Sequence, residues 1–415
     1  MSLGGALART TVQTIGTLLL RLVLLASTLL VLTRLLEPAE FGAFSGVAAI
    51  AIMAGALATL GTHLVVMRDN AVDARLGAIA LRYATTATLV GTVAMLAVFL
   101  AVALLALPPS RVPLMAVVAI GLADVVLQPF LALASARILG KGRVAGSQLL
   151  VSLPLGLRLA AALALWWAEP DDALVTYCVA YTLASIAALL LACLFVRNVL
   201  PPFREWRMPR RAEWKDAGGY AALNLTAAGP GELDKVLALR LMQADGTGIY
   251  ATASRVVGAL VLPVTALMLS SLPRLFAGHD TRDRMLVPAI FLASTGYGLM
   301  AGFAVFVASG TITGLFGPGY EALGKTLELL AIAVPGMSMR LAATSALMAK
   351  GQPWTRALVE CLGLLMMGVV AVMLSRQAND AALPLALAAS EWSMALAAWL
   401  IVARLRRGTP PLPVA

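Results

Sequence analysis

The sequence predicts an all-α integral membrane protein of twelve transmembrane helices, arranged as two six-helix bundles related by a parallel repeat. Three observations lead there: apolar runs of spanning length recur along the chain, basic residues alternate in abundance between successive loops, and the second half echoes the first. Of the 415 residues, 60% are hydrophobic and 13% charged, with a mean hydropathy of +0.90. A water-soluble domain carries about 45–50% apolar and about 25% charged residues, so lipid is the main solvent for this chain. Crossing ~30 Å of hydrocarbon takes about 20 residues, and the backbone there must satisfy its own hydrogen bonds as helix.

Runs of that length cover Gln13–Thr33, Phe41–Met67, Leu76–Leu107, Pro113–Ser135, Ala145–Ala168 and Leu174–Val196. A second set covers Gly218–Met242, Ile249–Leu272, Leu286–Phe306, Leu323–Met348, Trp354–Leu374 and Leu383–Ala403. The first run is too long for a signal-peptide core and has no small-residue cleavage site after it, so it is expected to remain as a helix. The domain expectation is an N-terminal bundle over 1–196 and a basic linker over 197–217. A C-terminal bundle over 218–403 and a basic, Pro-rich tail over 404–415 complete it.

With the N-terminus placed in the cytosol, the inside segments hold 21 Lys and Arg. The outside loops hold only Arg34, Arg111, Lys325 and Arg376. That bias puts both termini in the cytoplasm. The formal charge of +10 is therefore topology and contact with anionic lipid, and nucleic acid is excluded as a partner. Cys178, Cys193 and Cys361 all lie in apolar runs, which predicts small core residues and neither disulfides nor a metal site. His63 and His279 are the only histidines, and neither has a second ligand at metal spacing. Short outer loops without histidine argue against a membrane polymerase or acyltransferase, and no loop has room for a soluble catalytic domain.

The repeat aligns Arg34 with Arg240, Leu35 with Leu241, Gly42 with Gly248 and Phe44 with Tyr250, all 206 residues apart. Pro129 and Pro335 keep the same offset, and Lys141-Gly142 returns as Lys350-Gly351. Because each half has an even number of spans, the halves run in the same direction.

The stretch Leu32-Thr33-Arg34-Leu35-Leu36-Glu37-Pro38-Ala39-Glu40-Phe41-Gly42-Ala43-Phe44 resembles the first-loop signature of polysaccharide transporters. These form the branch of the multidrug/oligosaccharidyl-lipid/polysaccharide exporter superfamily that includes the Wzx-type O-antigen flippases. Leu233-Asp234-Lys235 through Gly248-Ile249-Tyr250, and Leu315-Phe316-Gly317-Pro318-Gly319-Tyr320, are similar to two further stretches of that family. The lipid II flippase branch, usually of fourteen helices, is less similar. The resemblance implies a central cavity between the bundles and a bacterial inner membrane location. It implies export of an undecaprenyl-diphosphate-linked oligosaccharide by alternating access. The implied partners are that glycolipid, the membrane, a polysaccharide polymerase and a chain-length regulator. Cation-coupled multidrug export is the competing function within the same architecture.

Basic residues inside spans are Arg21, Arg158, Lys235, Arg240, Arg255 and Arg340. A charge at a helix centre costs roughly 2.5–3.5 kcal/mol, so these face protein or water. Arg240 and Arg255 lie near the outer surface, while Arg21, Arg158 and Arg340 lie deeper. A diphosphate calls for forked, permanently charged donors, which makes the deep arginines, with Lys235 and Arg255, the candidate cationic cavity. Pairing with Asp124, Glu328, Glu360 or Glu391 is the structural alternative.

No cofactor and no metal are expected. Gly140-Lys141-Gly142 lacks the glycine spacing and the Ser or Thr of a phosphate loop, so an ion gradient of H⁺ or Na⁺ is the expected energy source. Its carboxylate candidates are Asp234 and Asp124, then Glu328 and Glu360. Asp234 is expected to be the freer acid, because Glu232 shares a helix face with Lys235. Gly229-Pro230-Gly231, Pro129 and Pro335 are candidate hinges.

Overall fold

The computed structural model describes residues 3–107, 111–195, 200–228, 231–277, 283–376 and 379–407, and among them every regular element is helical. The twelve expected spans appear as twelve helical passes, several of them interrupted. In chain order these are α1 (Leu3–Leu35), then α2 (Pro38–Ala58) with α3 (Thr62–Val72), then α4 (Ala74–Ala106). Next is α5 (Leu114–Ile120), continued through a π segment (Gly121–Leu127) into α6 (Gln128–Gly140). The first half ends with α7 (Val144–Ala168) and α8 (Ala173–Phe195). The second half comprises α9 (Arg211–Ala228) with α10 (Leu233–Leu241), α11 (Ala244–Leu260) with α12 (Leu262–Ala277), and α13 (Asp283–Thr313). It closes with α14 (Leu323–Ala331) and α15 (Ala333–Ala349), α16 (Pro353–Ser375) and α17 (Ala382–Arg407).

Among the described residues, 9 helices are long and apolar enough to cross a membrane, or 10 with the α14–α15 pair. Hydropathy alone does not separate a buried core helix from a lipid-facing one, but burial does. The Ala74–Leu105 window has a mean hydropathy of 2.5, yet only 28% of it is buried. Leu105, Phe303 and Leu365 point outward from their helices. Such faces are stable only against hydrocarbon, so this is a multi-pass membrane protein.

The first-loop signature acts as a helix start. Glu37 and Glu40 form a reciprocal capping box, with Pro38 at the first helical position. At the far end of α2, Gly61 takes φ +76, and a Cβ there would meet the Ala217 carbonyl oxygen at 2.4 Å. Only glycine fits that approach of α9 to the α2–α3 break.

The chain packs as two compact units, Met1–Arg240 and Leu241–Ala415. This differs from the expected division at a 197–217 linker. The reason lies in α9 and α10: α9 packs on α2 and α3, and Leu239 of α10 rests on Gly46. In the first unit α1 lies along α7, and α3 packs on α4 and α6 over Val65, Val66, Leu81 and Leu133. In the second unit α15 is central, packed by α13, α17 and α12 around Ala343, Leu347, Met394 and Ala398.

Candidate functional site

Each half of the chain buries a charge network on the fourth, fifth and sixth of its six passes. In the first unit the fourth pass carries Asp124 within the π segment. The widened turn there ends at Leu127, two residues before Pro129, which supplies no backbone N–H and lies in the first turn of α6. Gly55 of α2 lies so close that a Cβ would stand 2.3 Å from the Asp124 carbonyl oxygen. Thr182 of α8 donates to the Ala119 carbonyl at 2.8 Å, just ahead of the segment.

The Asp124 carboxylate accepts from Arg158 Nη2 and from the Tyr181 hydroxyl, both at 2.8 Å. Arg158 also donates to Ser185 Oγ, from Nη2 at 2.9 Å and from Nε at 3.3 Å. Its guanidinium lies 3.6 Å from the centre of the Tyr181 ring. Tyr181 in turn packs edge-on against Phe44, the last residue of the first-loop signature. Asp124 and Arg158 are both buried. Each member of the pair answers the other's charge, and removing one from such a buried pair costs about 3–5 kcal/mol.

In the second unit the tenth pass bends by 45° between α14 and α15, just before Pro335. The Ile332 carbonyl freed at the bend accepts from Trp392 Nε1 at 2.8 Å. Arg340 of α15 pairs with Glu391 of α17 at 2.5 Å. On α16, Arg356 pairs with Glu360 at 3.1 Å, one helical turn apart. Glu360 is 1% exposed, and its Oε2 has no hydrogen-bond partner among the described residues. A buried carboxylate oxygen without a donor carries a desolvation cost of about 1–3 kcal/mol or more.

The remaining candidates are placed as follows. Lys235 is buried on α10; its ammonium contacts the Gly231 carbonyl, Asp234 at 3.2 Å and Glu232 at 3.6 Å. The expectation that Asp234 would be the freer acid is corrected here. Helical spacing pairs Glu232 with Lys235, but the four-carbon stem of lysine also carries the charge across to its neighbour. Glu328 of α14 accepts from Ser309 at 3.1 Å. Arg255 is half-buried on α11. Arg21 is half-buried along α1, with no salt bridge to any described residue. Gly229 and Pro230 lie outside the described residues; α9 ends at Ala228 and α10 begins at Leu233, just past Gly231. Among the described residues no cluster of His, Cys, Asp or Glu could hold a metal ion.

Sequence reasoning did not single out Tyr181, Thr182, Ser185 or Trp392. The signal was present on α8, where Tyr177, Tyr181 and Ser185 recur every fourth residue along one face of an apolar helix.

No protein-family model matches the sequence, and no curated protein matches it either. Solved structures do. A multidrug resistance MATE family transporter of the MOP superfamily, in an inward-facing conformation, aligns with a TM-score of 0.77 at 13% identity, covering 94% of this chain and 96% of its own. The fold is that of the MOP-superfamily transporters. The lipid II flippase MurJ, in an inward closed conformation, aligns with a TM-score of 0.76 at 9% identity, covering 94% of this chain and 87% of that one. A MOP superfamily transporter from Pyrococcus furiosus, described as having a binding pocket of reverse polarity, aligns at 0.66 and 14% identity, covering 97% and 96%. These neighbours are transporters and flippases, not enzymes.

Proposed function

We propose that this protein is a flippase. It moves an anionic lipid-linked oligosaccharide, of the undecaprenyl-diphosphate class, from the cytosolic to the outer leaflet of a bacterial inner membrane. The single observation that carries the reading is Arg21. Among the deep arginines, Arg158 and Arg340 are held by carboxylates of their own units, whereas Arg21 makes no salt bridge to a described residue. An always-charged fork at bilayer depth, with no salt bridge to a described acid, is suited to a diphosphate. A cation-coupled multidrug exporter, the alternative on this fold, would favour an acidic site. A membrane polymerase or acyltransferase has less support, since the structural neighbours are transporters.

The energy source in this reading is an H⁺ or Na⁺ gradient. Each of Glu360, Asp124 and Asp234 lies beside a cation, but Glu360 keeps one buried oxygen without a hydrogen-bond partner among the described residues, which makes it the first candidate to change charge. Both termini lie in the cytoplasm. An impermeant thiol reagent should therefore label a cysteine placed at Asp171 from outside and one at Lys141 only from inside.

Deleting the gene tests the substrate class. An undecaprenyl-linked oligosaccharide should accumulate on the cytosolic leaflet, and Arg21→Ala should reproduce the accumulation at normal membrane levels of the protein. A deletion strain with no lipid-linked glycan built up, but with raised sensitivity to cationic drugs, would establish the exporter alternative.

A further inference from the structure

Residues 200–216 join α8 to α9, and every acid they contain is already engaged. Glu205 pairs with Arg82 of α4 at 2.9 Å. Glu213 accepts both Nη atoms of Arg207, at 2.8 and 2.6 Å. Asp216 accepts both Nη atoms of Arg68 of α3, at 3.1 and 2.8 Å. The electrostatics agree with the geometry. Hydrogen bonds to Asp216 and Asp69 hold the Arg68 guanidinium above its ordinary value, and hydrogen bonding to Arg68 draws the Asp216 carboxyl below its own.

Further contacts pin the segment. The Arg207 guanidinium lies 4.8 Å from the centre of the Tyr83 ring, Trp206 Nε1 donates to the Pro201 carbonyl, and Ala217 is buried against Val65, Val66 and Tyr83. The segment is therefore a fixed surface on the first unit and not a loose tether.

Four bases remain. Arg204, Arg210, Arg211 and Lys215 are exposed, and none forms a salt bridge among the described residues. Arg211 and Lys215, four apart at the start of α9, share one helix face. Interleaved with the bases are two large apolar side chains, Phe203 at 78% and Met208 at 60% exposure. Phe203 is backed by the Trp206 ring at 5.1 Å. Unpaired bases beside outward apolar groups are the pattern of a surface that meets lipid headgroups with charge and the acyl boundary with its side chains.

We propose that residues 200–216 form an interfacial plate that binds anionic phospholipid headgroups of the bilayer carrying the protein, with Phe203 and Met208 entering the acyl boundary. A lipid fits better than an acidic protein or a nucleic acid. The segment runs between α8, which ends at Phe195, and α9, which begins at Arg211, so it lies at the level where a spanning helix meets headgroups. Phe203 and Met208 also find an apolar phase there. The assignment to the cytosolic leaflet rests on the topology proposed above; the lipid binding does not.

The test uses the full chain in nanodiscs of phosphatidylcholine alone, and of phosphatidylcholine with about one third phosphatidylglycerol. Cys178, Cys193 and Cys361 are replaced by Ala, and a spin label is placed on Met208→Cys. Accessibility to oxygen against a water-soluble nickel complex then reports its depth. The label should lie at the acyl boundary in the mixed bilayer and move toward water in phosphatidylcholine. Replacing Arg204, Arg210, Arg211 and Lys215 by Gln should abolish that difference while leaving the thermal midpoint close to the parent's, because none of these exposed side chains forms a salt bridge to a described residue. Each single Gln should weaken phosphatidylglycerol retention, read by native mass spectrometry, roughly five-fold, the worth of one base near an anionic surface. A label that stays in water in both bilayers, or lies equally deep in both, overturns the proposal. So does a label that leaves water only when an acidic partner protein is added. None of these readouts involves transport, so a failure of the flippase reading would leave them unchanged.

Discussion

Two arginines inside apolar helices can look alike in a sequence and behave oppositely on substitution. Arg158 is enclosed by Asp124, Tyr181 and Ser185, so Arg158→Met leaves the buried Asp124 carboxylate without its cation and with only the Tyr181 hydroxyl of these donors. The expected loss is about 3–5 kcal/mol, seen as a fall in the unfolding midpoint of the detergent-solubilised protein, and Arg158→Met with Asp124→Leu should recover much of it. Arg21→Met strands no described acid. Its stability should stay within about 0.5 kcal/mol of the parent, while export of the lipid-linked glycan is lost. A destabilised Arg21→Met with normal export would remove Arg21 from the substrate path. The sequence exposed these arginines by their depth in apolar runs, but it could not pair them. Six bases and a comparable number of acids allow many matchings, and the choice depends on which helices are neighbours. Tyr181 and Ser185 were harder still to see, since a hydroxyl on an apolar helix costs little and draws no attention until a charge is found beside it.

The fourth and tenth passes depart from ideal helix at positions the sequence marks only indirectly. Pro129 and Pro335 read as candidate hinges. In the structure the distortion precedes each proline, as a π segment over Gly121–Leu127 and as a 45° bend at Ile332. Hydropathy periodicity reports which face is apolar and is blind to one extra residue in a turn, so the span was legible and its distortion was not. What supports each distortion comes from elsewhere in the fold. Gly55→Ala should cost about 1–3 kcal/mol, because its Cβ would stand 2.3 Å from the Asp124 carbonyl, a backbone atom that cannot swing aside. Gly156→Ala on α7 meets nothing within 4 Å and should be neutral or stabilising by up to about 1 kcal/mol. Measuring both midpoints separates the effect of close packing from that of helix propensity. Equal shifts would mean that the approach of α2 to the π segment is not tight.

Taken as a whole, the chain repeats a plan but reverses a charge. In the first unit the distorted pass contributes the acid, Asp124, and its neighbour contributes the arginine. In the second the bent pass contributes the arginine, Arg340, and its neighbours contribute Glu391 and Glu360. The 206-residue offset made the duplication visible in sequence. The reversal was not visible, since it concerns which member of a pair stands on which helix. The two networks also differ in how completely they are closed. Around Asp124 both oxygens accept a hydrogen bond, one from Arg158 and one from Tyr181. The second network balances Arg340 and Arg356 against Glu360 and Glu391, and it leaves Glu360 Oε2 without a donor. A proton arriving there would remove the cost of holding that oxygen's charge away from water and leave a net positive charge beside Arg340. That change could bias a two-state transporter only if the two states solvate it differently. In proteoliposomes Glu360→Gln, which mimics the protonated form, should abolish the dependence of transport on a proton gradient. Binding of the lipid-linked glycan should remain within a few-fold of the parent. Asp124→Asn should instead lower stability, because it removes the anion that Arg158 was buried to meet. Persistence of gradient-driven transport in Glu360→Gln, with its loss in Asp234→Asn, would shift the coupling step to α10 and mean that Lys235 releases Asp234 during the cycle.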